Sequence, residues 1–483
     1  MNRGRFALLG FTALTACSFE PTYHRPAPAI PAALPSIGQS DAAPAALSYR
    51  DIFRDSKLVA LIDRALADNQ DLKAALANVQ SARALVTVAR ADILPALDAS
   101  GGVTTGESST ASRSASGQSN SGGRRTTYSA DLGVSWEIDL FGRLRSLSNA
   151  AFNQYLGSEA ARRGTRLSVV AGVANAYLTL AADRSLLAIA GETRTSAARS
   201  VELTRSLLQG GVAPRTDLRQ AETILAQAEA DQASLETAVA QDRNALELLV
   251  GGRIGDELLP ASIESVDGLL AEAPAGLDSS ILLRRPDVVE TEYSLRAANA
   301  RIGAARAAFF PRIGLTALAG FASSALSSLF TGDAFTWSVA PSATLPIFDG
   351  GANLGNLRYS RAQRDLAVAN YQRAIQAAFR DVADALARRA TIDRQLAAAA
   401  RLDAAARDSL FLANARYRGG VDPYLSLLDA QRTAYGAART LASTRLTKAQ
   451  NLVTLYQSLG GDQVIDARPP APDGNRAKAA AAR

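Results

Sequence analysis

The sequence predicts a mixed fold class, in which long α-helices are joined to transmembrane β-strands that form a barrel only by oligomerising. Three observations carry this. Four stretches alternate between apolar and polar side chains, and one of them, Tyr128–Leu140, is close to the roughly 9–11 residues a tilted strand needs to cross a bilayer. Two stretches of roughly 70 residues, ending at Pro214 and Pro423, contain no proline and read as very long helices. The whole pattern then occurs twice along the chain.

Residues 1–16 read as a signal peptide, with Arg3 and Arg5 ahead of a short apolar run, Phe6 to Leu14, that is too short to span a membrane. The run ends in Leu14-Thr15-Ala16-Cys17, and Cys17 is the chain's only cysteine. No intrachain disulfide can form. Residues 17–48, rich in Pro and Ala, read as a tether. Within the first repeat, 49–250, apolar residues at three- and four-residue steps predict a helix from Tyr49 to about Asp92, with a break at Asp68-Asn69. Strands follow at about 94–104 and 128–140, separated by a Ser/Gly-rich loop, Thr105 to Thr127.

In the second of these strands, Tyr128, Ala130, Leu132, Val134, Trp136, Ile138 and Leu140 share one face, and Ser129, Asp131, Gly133, Ser135, Glu137 and Asp139 share the other. Helices are expected at about 143–209 and 215–250, with Val170, Val173, Tyr177, Leu180 and Leu187 marking a seam on the first. A Gly- and Pro-punctuated connector covers 251–284. The second repeat, 285–460, restates the plan: a helix, strands at about 311–321 and 334–347 around a Ser-rich loop (Ala322 to Asp333), then helices at about 351–418 and 423–459. The seam of the last helix is read as Leu425, Leu428, Tyr435, Ala442, Ala449, Leu452 and Tyr456. Gly210-Gly211-Val212-Ala213-Pro214 recurs as Gly419-Gly420-Val421-Asp422-Pro423. Residues 461–483 read as a disordered tail.

Several function classes are disfavoured. The net charge of +6 is small for 483 residues and its bases are interspersed with acids, so no nucleic-acid surface is expected. His24 is the only histidine and lies in the tether, which excludes histidine-based triads and His/Cys metal clusters; neither an enzyme nor a cofactor is expected. Four two-faced strands can lie in lipid only in a closed barrel, and four are too few to close alone. Two chains would give a narrow, filled barrel and three a twelve-stranded one with a lumen; the polar inner faces favour the wetter choice.

Leu14-Thr-Ala-Cys17, Trp136-Glu-Ile-Asp-Leu-Phe-Gly-Arg-Leu-Arg145, Leu283-Arg-Arg-Pro-Asp287, Phe310-Pro311, Pro346-Ile-Phe-Asp-Gly-Gly351, Arg416-Tyr-Arg-Gly-Gly-Val-Asp422 and Leu428-Asp-Ala-Gln431, in that order, resemble the TolC-like outer-membrane factors, specifically the NodT-type efflux lipoproteins. The resemblance implies a homotrimer: a twelve-stranded outer-membrane barrel, four strands per chain, continued by an α-helical coiled-coil barrel in the periplasm. It implies an outer-membrane channel passing small molecules from an inner-membrane pump and a periplasmic adaptor to the exterior. A channel of type I secretion and a non-channel periplasmic coiled-coil lipoprotein are the alternatives. It further implies lipid attachment at Cys17 and outer-membrane lipid as a partner. The periplasmic gate would involve Asp422 with Arg416 and Arg418. The tips that touch the adaptor would be Gly210, Gly211, Val212, Pro214, Gly419, Gly420, Val421 and Pro423. Asp422 before Pro423 can also be read as a helix cap alone.

Overall fold

The computed structural model describes residues 18–28, 30–31, 48–107, 124–266 and 279–462. Cys17, the signal peptide and most of the C-terminal tail lie outside them, as do the middle of the 105–127 loop and part of the connector. The chain divides into two compact units that do not follow the sequence repeats; each draws on both.

The first unit (1–26, 79–157 and 291–370) holds four antiparallel strands in the order of the chain: β1 (Ala96–Gly106), β2 (Arg125–Ile138), β3 (Arg312–Ser323) and β4 (Phe335–Thr344). They are 10 to 14 residues long, bilayer-spanning length. Register turns the period-two sequence pattern into two continuous faces, because directly paired residues share a face. Ala99, Leu132, Ala319 and Trp337 lie in one row, and Leu97, Val134, Ala317 and Val339 in another. On the opposite face Ser100, Asp131, Gly320 and Thr336 align, and Asp98, Gly133, Leu318 and Ser338. Leu318 is the apolar exception there, and it lies over Gly133, where an added Cβ would come within 3.1 Å of its Cδ2. Trp337 is 72% exposed on the apolar face. Among the described residues, one edge of β1 and one of β4 have no partner.

Both inter-strand loops are shorter than the composition suggests. Thr105 and Thr126 are already paired, their hydroxyls 3.1 Å apart, and β3 runs on to Ser323 ahead of two short 3-10 turns, Leu326–Ser328 and Gly332–Ala334. Threonine and serine satisfy a sheet ladder as readily as a loop, so composition alone placed these ends wrongly.

The junction from β2 into the next helix is clamped by ion pairs. Arg143 donates to both oxygens of Glu137 at 2.9 and 2.7 Å, and Arg145 Nε to Asp139 at 3.2 Å; Gly142, at φ 75°, makes the turn between them. Trp136 Nε1 donates to the Ile93 carbonyl at 2.9 Å. The tether docks on the same unit: Phe19 stacks on Phe310 at 4.5 Å, and Phe310 on Phe141 at 4.9 Å. Glu292, with 1% of its side chain exposed, accepts from Arg25 on both oxygens at 3.0 and 2.9 Å, from Arg296 at 3.1 Å and from the Tyr23 hydroxyl at 3.2 Å.

The second unit (27–78, 158–290 and 371–483) is helical. Helices run α1 (Tyr49–Ile52), α2 (Ser56–Asp68), α3 (Gln70–Ala91), α4 (Arg143–Gln209), α5 (Arg215–Val250), α6 (Pro286–Ala307), α7 (Ala352–Arg418) and α8 (Tyr424–Ser458), of which α3, α4, α6 and α7 contribute to both units. The expected helix from Tyr49 is three: Asp55 caps α2 through Lys57 N, and Asn69 extends the chain before α3. The main core gathers α1 and α2 with Val170, Val173, Tyr177 and Leu180 of α4, Leu246 and Val250 of α5, Tyr456 of α8, and Ile254, Leu259 and Ile263 of the connector. Polar side chains anchor that connector: Arg184 to the Pro260 carbonyl at 2.6 Å, and Ser185 to Glu264 at 2.7 Å. Among the described residues no helix is long and apolar enough to cross a membrane.

Candidate functional site

Both helical hairpins of the second unit end in the same hydrogen-bonded turn. Gly210 N donates to Ser206 O, Gly211 N to Leu208 O and Val212 N to Leu207 O, at 2.9–3.0 Å. Gly419, Gly420 and Val421 repeat this with Ala415, Tyr417 and Arg416, each at 3.0 Å. This is a Schellman end, with Gly211 at φ 73° and Gly420 at φ 70° in the left-handed position that glycine occupies without strain. Pro214 and Pro423 then open α5 and α8. Val212 (77% exposed) and Val421 (66%) leave an apolar side chain at each tip facing solvent.

The two tips differ at several positions, and one pair of these forms an ion pair in the second tip only. In the first, Leu207 and Ala213 flank the glycines; in the second, Arg416 and Asp422 take their places. Arg416 Nε and Nη2 grip the Asp422 carboxylate at 2.6 and 2.9 Å, a two-pronged, charge-assisted contact. The guanidinium holds the Asp422 carboxyl below the ordinary aspartate range. The cap-alone reading of Asp422 does not fit this geometry. Pro423 occupies the cap position of α8 with no side-chain cap bond, and both Asp422 oxygens are taken by Arg416. Arg418, grouped with them in the sequence, is exposed and makes no ion pair among the described residues.

Beneath the second tip lies an aromatic pair that the motif reading missed. Tyr417 and Tyr424 pack edge to face at 5.4 Å, both buried, on Val201 and Ala221 of the first hairpin; the Tyr417 hydroxyl lies 3.3 Å from Thr204 Oγ1. Burial pushes the Tyr424 phenol up to about 12. The signal was present: sliding one repeat onto the other sets Tyr417 and Tyr424 against Leu208 and Arg215, so the repeats diverge where they meet. Leu425, read as seam, is 62% exposed, because Tyr424 and Leu428, one turn apart, take the inward face.

The sheet of the first unit is a candidate site in its own right. Its apolar face carries Tyr128, Trp136, Phe335 and Trp337; its polar face carries Asp98 and Asp131 on neighbouring strands. Among the described residues no cluster of three or more His, Cys, Asp or Glu could hold a metal ion.

Known proteins resemble this chain in sequence and in fold. The family model described as outer membrane efflux protein matches residues 61–252 and 277–461. The chain is 42% identical over 467 residues to the solvent efflux pump outer membrane protein SrpC of Pseudomonas putida, covering 94% of this chain and 97% of that one. It is 42% identical to the antibiotic efflux pump outer membrane protein ArpC of the same species, covering 93% of each. Among solved structures, the open state of the Neisseria gonorrhoeae MtrE outer membrane channel matches with a TM-score of 0.81 at 36% identity, over 92% of this chain and 99% of that one. The fold is TolC-like, the protein is an efflux channel of the outer membrane and not an enzyme, and the chain belongs to the outer membrane efflux protein family.

Proposed function

We propose that three copies of this chain form the exit duct of a tripartite efflux system, receiving small organic molecules from a periplasmic adaptor and an inner-membrane pump. The observation that supports this reading best is the sheet: two continuous faces of opposite character and two unpaired edges on four bilayer-length strands. An open edge in lipid strands backbone donors and acceptors, at several kcal/mol each, so β1 and β4 must find partners on other copies. Three chains give twelve strands, enough for a polar lumen behind an apolar outer belt. Cys17 would be acylated and hold the tether at the membrane. The tips Gly210–Pro214 and Gly419–Pro423, with Val212 and Val421 exposed, would meet the adaptor. The Arg416–Asp422 pair would keep the periplasmic end shut. SrpC and ArpC are named for solvent and antibiotic efflux, and the same classes of cargo are proposed here.

The test is export. The gene is deleted in its own host, and accumulation of toluene and of a fluorescent hydrophobic antibiotic is followed with the adaptor and pump intact. Raised accumulation, reversed by the full chain and not by a Val339→Arg variant, is the expected result. Unchanged accumulation of both compounds would overturn the cargo assignment.

A further inference from the structure

Within the second unit, α5 and α7 each carry a stripe of residues that no helix of the chain covers. On α5, Ala226, Ala233 and Ala240 are exposed at seven-residue steps, and on α7 so are Ala390, Ala397 and Ala404. These stripes point away from the chain's own packing. Ala226 stands two positions before buried Ala228, and the α7 alanines two before buried Ile392, Ala399 and Ala406, about 200° around the helix. Charge accompanies each stripe: Glu229 and Glu236 on α5, Arg394 and Arg401 on α7. The positions three and four places from each of these four residues, where helical ion pairs form, are all uncharged. Glu236, Arg394 and Arg401 make no ion pair among the described residues, and Glu229 reaches Arg194 only at 4.0 Å.

We propose that α5 of one copy packs antiparallel on α7 of the next, alanine on alanine, with Glu229 paired to Arg401 and Glu236 to Arg394. The inference rests on the three-copy reading above, and adds the partner helix and its register.

That register selects a second copy as the occupant. The two tips lie side by side in one chain, with Val201 and Ala221 packing on Tyr417 and Tyr424. A rotation axis along the helices therefore sets α5 of one copy level with α7 of the next. With Gly211 opposite Gly419, Ala226 meets Ala404, Ala233 meets Ala397, and Ala240 meets Ala390. The same alignment brings both carboxylates to both guanidinium groups. Alanine lets helix axes approach to about 8 Å, and charges flanking such a seam choose partner and register. Glu222 comes opposite Asp408, but Arg219 at 2.7 Å and Arg205 at 3.7 Å already hold it. A slip of one heptad takes the tips about 10 Å out of level. In one direction it also opposes Glu229 to Asp408, and in the other Arg243 to Arg380.

The experiment is disulfide trapping in outer membranes that contain the full-length chain with Ala233→Cys and Ala397→Cys, oxidised with copper phenanthroline. Controls are each single variant, and Ala233→Cys with Ala390→Cys. That second pair is about 10 Å out of register, and a disulfide needs Cα atoms within about 7 Å. Cys17 is present throughout. Covalent dimers and trimers that disappear on reduction are expected from the in-register pair and from none of the controls. Independently, Glu236→Arg should lower the temperature at which the trimer dissociates, and Glu236→Arg with Arg394→Glu should restore it. This charge exchange decides the matter if the cysteine pair does not fold as the wild type does by circular dichroism. Mass photometry of the purified protein counts the copies separately. Trimers without the disulfide bands overturn the seam and leave the three-copy reading standing, whereas monomers overturn both. Equal bands from the two cysteine pairs, or a charge reversal that the exchanged pair does not rescue, also overturn the proposal.

Discussion

Leu207 and Ala213 in one tip, Arg416 and Asp422 in the other: this difference gives the second turn an ion pair that the first turn lacks. Asp422→Asn keeps the shape and one possible hydrogen bond but removes the charge, and its expected effect in planar bilayers is a rise in conductance with the oligomer intact. Exchanging the charges, with Arg416→Asp and Asp422→Arg together, should return conductance towards wild type. The pair also fixes its own pH range. The Asp422 carboxyl is depressed, so the contact is present above the ordinary aspartate value of about 3.9 and is lost only as pH falls below it. Conductance of the wild type should therefore be insensitive to this pair between pH 5 and 7, and a transition there that disappears in Asp422→Asn would contradict it. Glu292 is the other residue on which much depends. With Arg25 and Arg296 both bonded to it, Glu292→Gln leaves two cations facing a neutral amide in a buried place. Breaking such a pair costs about 3–5 kcal/mol. Hydrogen exchange should quicken in residues 18–28, and protection there equal to wild type would show that the aromatic stack of Phe19, Phe141 and Phe310 holds the tether unaided.

At the scale of elements, the α4–α5 hairpin contains a second titrating contact. Asp242 faces Asp183 across the two helices, and its Oδ2 is buried without a donor when both are ionised. Burial, with the charge of Asp183 beside it, pushes Asp242 up to about 6. A raised carboxyl favours the protonated fold: the hairpin holds its full stability below the unfolded value of about 3.9 and loses it as pH rises through 6. Thermal unfolding followed by circular dichroism should show a midpoint that falls between pH 4 and 7, and Asp242→Asn should flatten that slope. For the strands, arginine at Val134 or Val339 would put a charge on the apolar face, at about 2–4 kcal/mol per site near the bilayer midplane. Loss of inserted oligomer is expected from each, whereas Ser338→Arg on the opposite face should insert normally.

For the molecule as a whole, what could be read in the sequence followed period and punctuation. The two faces of β2 are visible because residues on one side of the sheet recur every second position, and both tips because only Gly-Gly followed by proline ends one helix and starts another. What could not be read depended on contacts between residues far apart in the chain. Glu292 looks like an ordinary helical acid until Tyr23 and Arg25 arrive beside it, and Gln431 like an ordinary surface amide until Ser200 fixes it. The connector's course is likewise set by Arg184 and Ser185, well over 70 positions away. The account makes one claim above the rest, that the two-faced sheet closes into a conducting barrel across chains. Single-channel recording of the purified full-length protein in planar bilayers tests it most directly. The account predicts discrete conductance steps from a cross-linkable trimer, larger when Arg416 and Asp422 are both replaced by serine. A folded, membrane-inserted trimer that leaves the bilayer electrically silent in both forms would contradict it.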